Sequence, residues 1–394
     1  MLIKHSKVHY AASGLVATLL VAGSVVAASN TGAAAASLAM RSGSQPALTQ
    51  TAATAGTIAS HCTIAMSDSY IGNDWRKTMV AEFTAAAKSA KAAGLIAGYR
   101  VDVSAENTAS SQITQIDSLI LAHVCAIDID AASATALNNV IQSACAAGIK
   151  VVVFDSLASA ACEYNVDDTM TAWAAAEAKV VMNEIHGQGN VILVNGVEGS
   201  QPNAIDVAAQ RHVIAQYPKV HIVAFVDGEN TVTTTESAVA TVLPTLGPVA
   251  GVVAQTASIG AIEAFKAAGR PLPAVSFDTS GETLGFWASE LKTDPTFQAE
   301  GLNIDPGLSG VALYESILIL NGQKIRGKAI LHNLLGYPYT VITGATRAAW
   351  AKVTPVGAEG CWNWTAAEVL TDITQQMIGK PVQAPPVPTI RVVG

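Results

Sequence analysis

Residues 125–156 read CAIDIDAASATALNNVIQSACAAGIKVVVFDS. Two apolar runs, over 124–130 and 149–155, flank a stretch over 133–147 whose apolar side chains recur at helical spacing. A strand–helix–strand unit with nearly continuous apolar strands predicts a parallel sheet with helices packed on both faces. Gly148 follows the helical stretch, where a left-handed cap closes a helix before the next strand. Both strands finish on polar groups: Asp128 and Asp130 in the first, Asp155 and Ser156 after the second.

The same grammar extends in both directions. Further strands are predicted over 63–67, 98–104, 190–196, 220–228, 249–255 and 272–278. Helices are predicted over 75–93, 169–187, 203–217, 233–243, 258–268 and 308–321. Gly94 and Gly269 repeat the cap position of Gly148, closing AKAAG and FKAAG. Successive blocks near 62–160 and 168–280 predict an α/β protein of two doubly wound parallel-sheet lobes. Ligands of such sheets bind beyond the carboxyl ends of the strands.

Composition narrows the class. Half of the 394 residues are apolar and only 13% are charged, with a net charge of −8. The chain can build real cores, and without a basic stripe nucleic acid is an unexpected partner. Lys4 and Lys7 precede an uncharged run, AASGLVATLLVAGSVVAA, over 11–28, which is read as an export signal cleaved near Ala28. That address is periplasmic or otherwise extracytoplasmic. Residues 29–61 are rich in Ala, Ser, Thr and Gly and are read as a flexible lead-in. Disulfides are permitted outside the cytoplasm. Cys145 and Cys162 flank the 149–155 strand and are read as a possible bridge, while Cys62 and Cys125 open apolar strands and are read as buried free thiols. Cys361 makes the count odd, and no C-x-x-C pair exists.

Polar groups recur at the strand ends. The first is the densest: MSDSYIGNDWRKTMVAEF, over 66–83, sets Asp68, Tyr70, Asn73, Asp74, Trp75 and Arg76 at a strand-to-helix turn. Gln255 and Thr256 follow one later strand, Asp278 and Thr279 another. The loop after 190–196 carries Glu198, Gln201, Asn203 and, one turn on, Asp206. Carboxylates accept paired hydrogen bonds from neighbouring hydroxyls, and their charge strengthens each bond. A flat indole offers surface to the C–H face of a sugar. Acids, amides and one flat ring together fit a polyol. An Asp or Ser after a strand is also an ordinary helix N-cap, and Trp75 is also an ordinary core ring. The other tryptophans, Trp173, Trp287, Trp350, Trp362 and Trp364, are read as packing or surface residues.

These stretches, in order, resemble the type I periplasmic sugar-binding proteins of ABC importers, the group that includes ribose-binding protein. SDSYIGNDWRKTMVAEF is similar to that family's first strand-end loop and helix, and residues 126–156 to its third unit and fourth strand. VNGVEGSQPNAIDVAAQR, GVVAQTASIGAIEAFKAAGRPLPAVSFD and NIDPGLSGVALYESILILNGQKI continue the match. The resemblance implies lobes joined by three crossings and closing on a ligand by hinge motion. It places 62–166 with 304–332 in the first lobe and 167–303 with 333–394 in the second lobe and tail. By position it carries the family's ligand contacts onto Asn73, Trp75, Asp128, Asp155, Ser156, Asp206, Thr256, Asp278 and Asn303. It implies a monomer that hands a small sugar or polyol to a membrane permease, with no metal, cofactor or catalytic residue. Departures bear on the ligand: Asp128 stands where Asn is frequent, no Arg or Lys lies beside Asp206, and Thr256 replaces an Asn or Asp.

A catalytic reading lacks a centre. No nucleophile elbow, P-loop or dinucleotide-binding glycine motif is present, and the histidines form no metal-binding pair. Asp128 and Asp130 are the carboxylates nearest to a hydrolytic pair. A sensory module presenting a bound ligand to a receptor is the alternative to transport. The role of 333–394, with its GCWNW and Pro-rich end, is open.

Overall fold

The computed structural model describes residues 58–297, 299–325, 334–380 and 382. The export signal, most of the lead-in and the Pro-rich end lie outside them. The chain opens with β1 (Thr63–Asp68), α1 (Asp74–Ala92), β2 (Gly98–Val103), α2 (Ala109–Leu121), β3 (Ala126–Asp130), α3 (Asn138–Ala146), β4 (Lys150–Phe154) and β5 (Tyr164–Asp168). It continues with α4 (Met170–Glu184), β6 (Gln188–Asn195), α5 (Gln201–Ile214), β7 (Lys219–Asp227), α6 (Val232–Val242), β8 (Gly251–Ala254), α7 (Ser258–Ala267), β9 (Ala274–Val275), α8 (Gly281–Thr293) and β10 (Gly301–Asn303). Then come α9 (Leu308–Leu320), β11 (Leu334–Tyr337), β12 (Thr340–Ile342), α10 (Arg347–Trp350) and α11 (Ala366–Met377).

One sheet runs β11-β5-β4-β3-β1-β2 and the other β7-β6-β8-β9, with parallel pairing in both. β10 follows β9 in space through a parallel bridge from Gly301 to Phe277 and pairs antiparallel with β12. The central strands, such as β3 and β8, are buried on both faces because helices cover each sheet on two sides, while the edge strands β2 and β7 are partly exposed. On α1, Trp75, Met79, Phe83, Ala86, Ala87 and Ala90 turn inward at intervals of three and four. α9 is apolar around its whole circumference and almost wholly buried, wedged against α1, β3 and β4. Gly94, Gly148 and Gly269 hold φ of 72°, 86° and 62°, the left-handed caps that the sequence marks.

The chain passes between the lobes after β5, before α9 and between β11 and β12. The tail departs from the sequence assignment of 333–394 to the second lobe. β11 instead completes the first sheet beside β5, and α11 packs on α9. β5 reads YNVDD, without an apolar run, so the need for a covering strand is invisible in its own residues.

The cysteines give a second correction. Cys62 and Cys125 are joined, with Cα atoms 5.5 Å apart. They immediately precede β1 and β3, whose neighbouring register, Ile64 opposite Ala126, brings the two strand starts together. Cys145 and Cys162 form the other bridge and Cys361 is a buried thiol.

Candidate functional site

The carboxyl ends of β1, β3 and β4 face those of β6 and β8 across a cleft of about 140 Å³. That is below the roughly 300–1,000 Å³ of pockets for drug-sized ligands. The first lobe contributes Asn73, Trp75, Arg76, Asp155 and Ser156, with Tyr70 and Asn107 at the margin. The second contributes Glu198, Asn203, Asp206, Asn230, Gln255 and Thr256. Trp173 and Ile304, from the segments that cross between lobes, complete the wall.

Local structure explains how these groups are aimed. Asn73 is the N-cap of α1, its Oδ1 accepting the Arg76 N–H at 2.8 Å, so the cap and the cleft wall are one side chain. The Trp75 indole donates from Nε1 to the Ile304 carbonyl at 2.9 Å, linking α1 to the second crossing. Its ring is 6% exposed, and the Arg76 guanidinium lies 5.5 Å from its centroid. Arg76 sits among three strand ends. It is 2.9 Å from Asp68, in direct contact with Asp130, and 3.6 Å from Asp155. Asp155 adopts φ of 56°, an uncommon left-handed conformation that Asp tolerates better than most residues.

In the second lobe Ser200 caps α5, and Asn203 accepts from the Gly196 N–H at 3.0 Å and from Gln255 Nε2 at 2.7 Å. This fixes the loop after β6 against the loop after β8. Gln201 Oε1 accepts the Leu157 N–H at 3.1 Å, a hydrogen bond from one lobe to the other beside the cleft.

The acids here are strongly perturbed. Burial raises the Asp155 carboxyl to about 6, opposed by Arg76 and assisted by Asp68. Burial, then Asp155 and Asp167, pushes Asp206 well above the ordinary carboxylate range. Asp206 Oδ1 and Asp155 Oδ1 are buried and have no hydrogen-bond partner among the described residues.

Asn73, Trp75, Asp155, Ser156, Asp206 and Thr256 thus converge on one cleft. Asp128, Asp278 and Asn303 do not reach it. Asp128 lies two residues short of the end of β3 and accepts from Ser316 of α9 at 2.5 Å inside the first lobe. Burial raises its carboxyl to about 8. Asp278 accepts from Ser258 N at 2.8 Å, Ser258 Oγ at 3.1 Å, Ser280 N at 3.0 Å, Ser280 Oγ at 2.7 Å and Thr283 Oγ1 at 2.5 Å. It joins the starts of α7 and α8, so capping accounts for it. Asn303 donates to Glu359 of the tail at 3.1 Å. Sequence reasoning left Arg76, Asn203, Asn230, Gln255 and Trp173 out of its site. The signal for Arg76 was its place one turn into α1, downstream of a strand ending in Asp68, in a chain whose other strands also end in acids.

A family model described as a periplasmic binding protein domain matches residues 64–323. The solved structure of an ABC transporter solute binding protein from Thermobispora bispora DSM 43833 is 39% identical, with a TM-score of 0.77 over 82% of this chain and 98% of that one. The periplasmic binding protein component of the arabinose ABC transporter from Shewanella sp. ANA-3, bound to alpha- and beta-L-arabinofuranose, is 22% identical and shares the fold, with a TM-score of 0.62 over 74% of this chain and 94% of that one. A xylitol-binding protein of Mycolicibacterium smegmatis is 29% identical over 180 residues, 44% of this chain and 52% of that relative. The chain therefore spans about half the length of the curated relative it matches. Parallel sheets facing across a cleft, crossed by the chain three times, and a family match over most of the described fold lead to one conclusion: the chain belongs to the periplasmic binding protein domain family, with the type I architecture.

Proposed function

We propose that the protein is an exported, monomeric solute-binding protein that captures a small sugar or polyol between its lobes and delivers it to the membrane permease of an ABC transporter. One observation carries the reading: Asp155, Ser156 and Asn73 from one lobe and Asp206, Asn203 and Gln255 from the other face a single small cavity. Hydroxyl-rich ligands satisfy such convergent acceptors and amides, and closure strengthens each bond by excluding water. The identity to a solute-binding protein supports the same role. Binding rather than catalysis is supported by the fate of the candidate hydrolytic pair: Asp128 is engaged by Ser316 and Asp130 by Arg76.

A thermal-shift screen of the mature protein against xylitol, arabinose, allose, myo-inositol and common hexoses tests this. A ligand at about 100 times its Kd stabilises by roughly 2.7 kcal/mol. At least one polyol is expected to raise Tm, and Asp155→Ala to abolish the shift. A flat response to the whole panel overturns the proposal.

A further inference from the structure

Resting on that reading, we propose that the preferred ligand is an amine-bearing polyol, an amino sugar or amino alditol, whose ammonium group lies between Asp206 and Asp155. The cavity wall is unbalanced in charge. Asp155, Glu198 and Asp206 line it, and Arg76 is the one cationic side chain among the described lining residues. Arg76 is paired with Asp68, Asp130 and Asp155, and among the described residues no ion pair joins it to Asp206 on α5. Asp206 is 2% exposed and Asp155 3%, yet each keeps a buried carboxylate oxygen without a hydrogen-bond partner.

A buried carboxylate that faces other carboxylates needs a cation, a proton or a donor from a ligand. A neutral polyol supplies donors but removes water from the acids without cancelling their charge. An ammonium group supplies donors and charge together. A metal ion is a poorer occupant, because no cluster of three or more acids, histidines or cysteines among the described residues is arranged to hold one.

The surroundings of Asp206 predict how binding couples to protons. Asp155 from the end of β4, Asp167 from β5 and Glu177 from α4 all act on it or are acted on by it, and each is an acid. Burial, then Asp155 and Asp167, raise the proton affinity of Asp206. Seating an ammonium beside it lowers that proton affinity, so any proton Asp206 carries is given up to solvent. A neutral polyol causes no such release.

The test is titration calorimetry on matched pairs at pH 7.5: xylitol against 1-amino-1-deoxyxylitol, D-glucose against D-glucosamine, and D-galactose against D-galactosamine. The amine of at least one pair is expected to bind about tenfold or more tightly, the scale of a close buried charge pair. Its apparent enthalpy should vary with the ionisation enthalpy of the buffer, which reads the net proton exchange of Asp206 and the amine together. Asp206→Asn should lower amine affinity about tenfold more than the affinity for the neutral partner. Wild-type protein that binds the neutral member of every pair as tightly as the amine, or tighter, overturns the amine inference and leaves the polyol reading standing. Failure to bind any of these compounds, together with a flat screen, overturns both. An amine preference unchanged in Asp206→Asn overturns the placement.

Discussion

Asp155 and Asp278 occupy the same place in their units, following Phe at the ends of VVVF and VSF. Only the first faces the cleft. Three hydroxyls distinguish them, those of Ser258, Ser280 and Thr283, which surround Asp278 and commit its oxygens to helix starts. Ser280 and Thr283 follow Asp278 closely in SFDTSGET and were a legible sign of capping, but Ser258 arrives from twenty residues upstream. Among the described residues nothing bonds Asp155 Oδ1, and Asp155 is met by Arg76, which comes from another strand–helix turn. Residue type at a strand end was therefore readable, but its partners were not. Asp278→Ala should cost about 2–4 kcal/mol of stability, because two helix starts lose a charged acceptor and buried donors are left unpaired. Urea denaturation checks this. Unchanged stability with lost ligand affinity would return Asp278 to the site.

Long helical stretches and apolar runs, such as α1, α4, β4 and β6, lie within a few residues of where the sequence puts them. The elements that escape are those whose identity depends on a neighbour. β5 becomes a strand by lying between β4 and β11. The Cys62–Cys125 bridge follows from β1 and β3 being adjacent, which strand spacing alone does not state. Helix contacts offer a sharper test. At Gly260 in α7, a Cβ would collide with the Val232 carbonyl and stand 2.9 Å from the Glu236 nitrogen of α6. Both are backbone atoms and have no rotamer by which to move aside. Gly260→Ala should cost about 1–3 kcal/mol by overpacking, despite the higher helix propensity of alanine. A thermal melt equal to or above wild type would show that α6 and α7 separate freely.

Across the whole molecule, many carboxyls are buried with few cations. Burial holds Asp128 at about 8 and Asp305, Glu82 and Glu163 at about 7. These values exceed those of the unfolded chain, so the folded protein holds more protons between pH 4 and 8. The stability these groups contribute is complete below about pH 4 and lost as pH rises through 7 and 8. Tm should therefore decline from pH 5 to pH 8, as scanning calorimetry would show. A rise over that interval would mean that the buried acids are ionised and paired. Asp305 also gathers the crossings: its N–H meets Asp168 at the first, and its carboxyl accepts from Trp362 N at 3.0 Å and Trp364 Nε1 at 3.1 Å after the third. The tail, opaque as sequence, first supplies β11 to the first sheet and then joins these paths through Trp362 and Trp364. That arrangement has a consequence for biogenesis. Translation delivers β5 long before β11, so a nascent polypeptide carries an open seam along β5 while β6 to β10 emerge. An unpaired β edge recruits whatever strand is nearby, including one from a neighbouring copy, so crowded synthesis threatens this protein most until β11 covers β5.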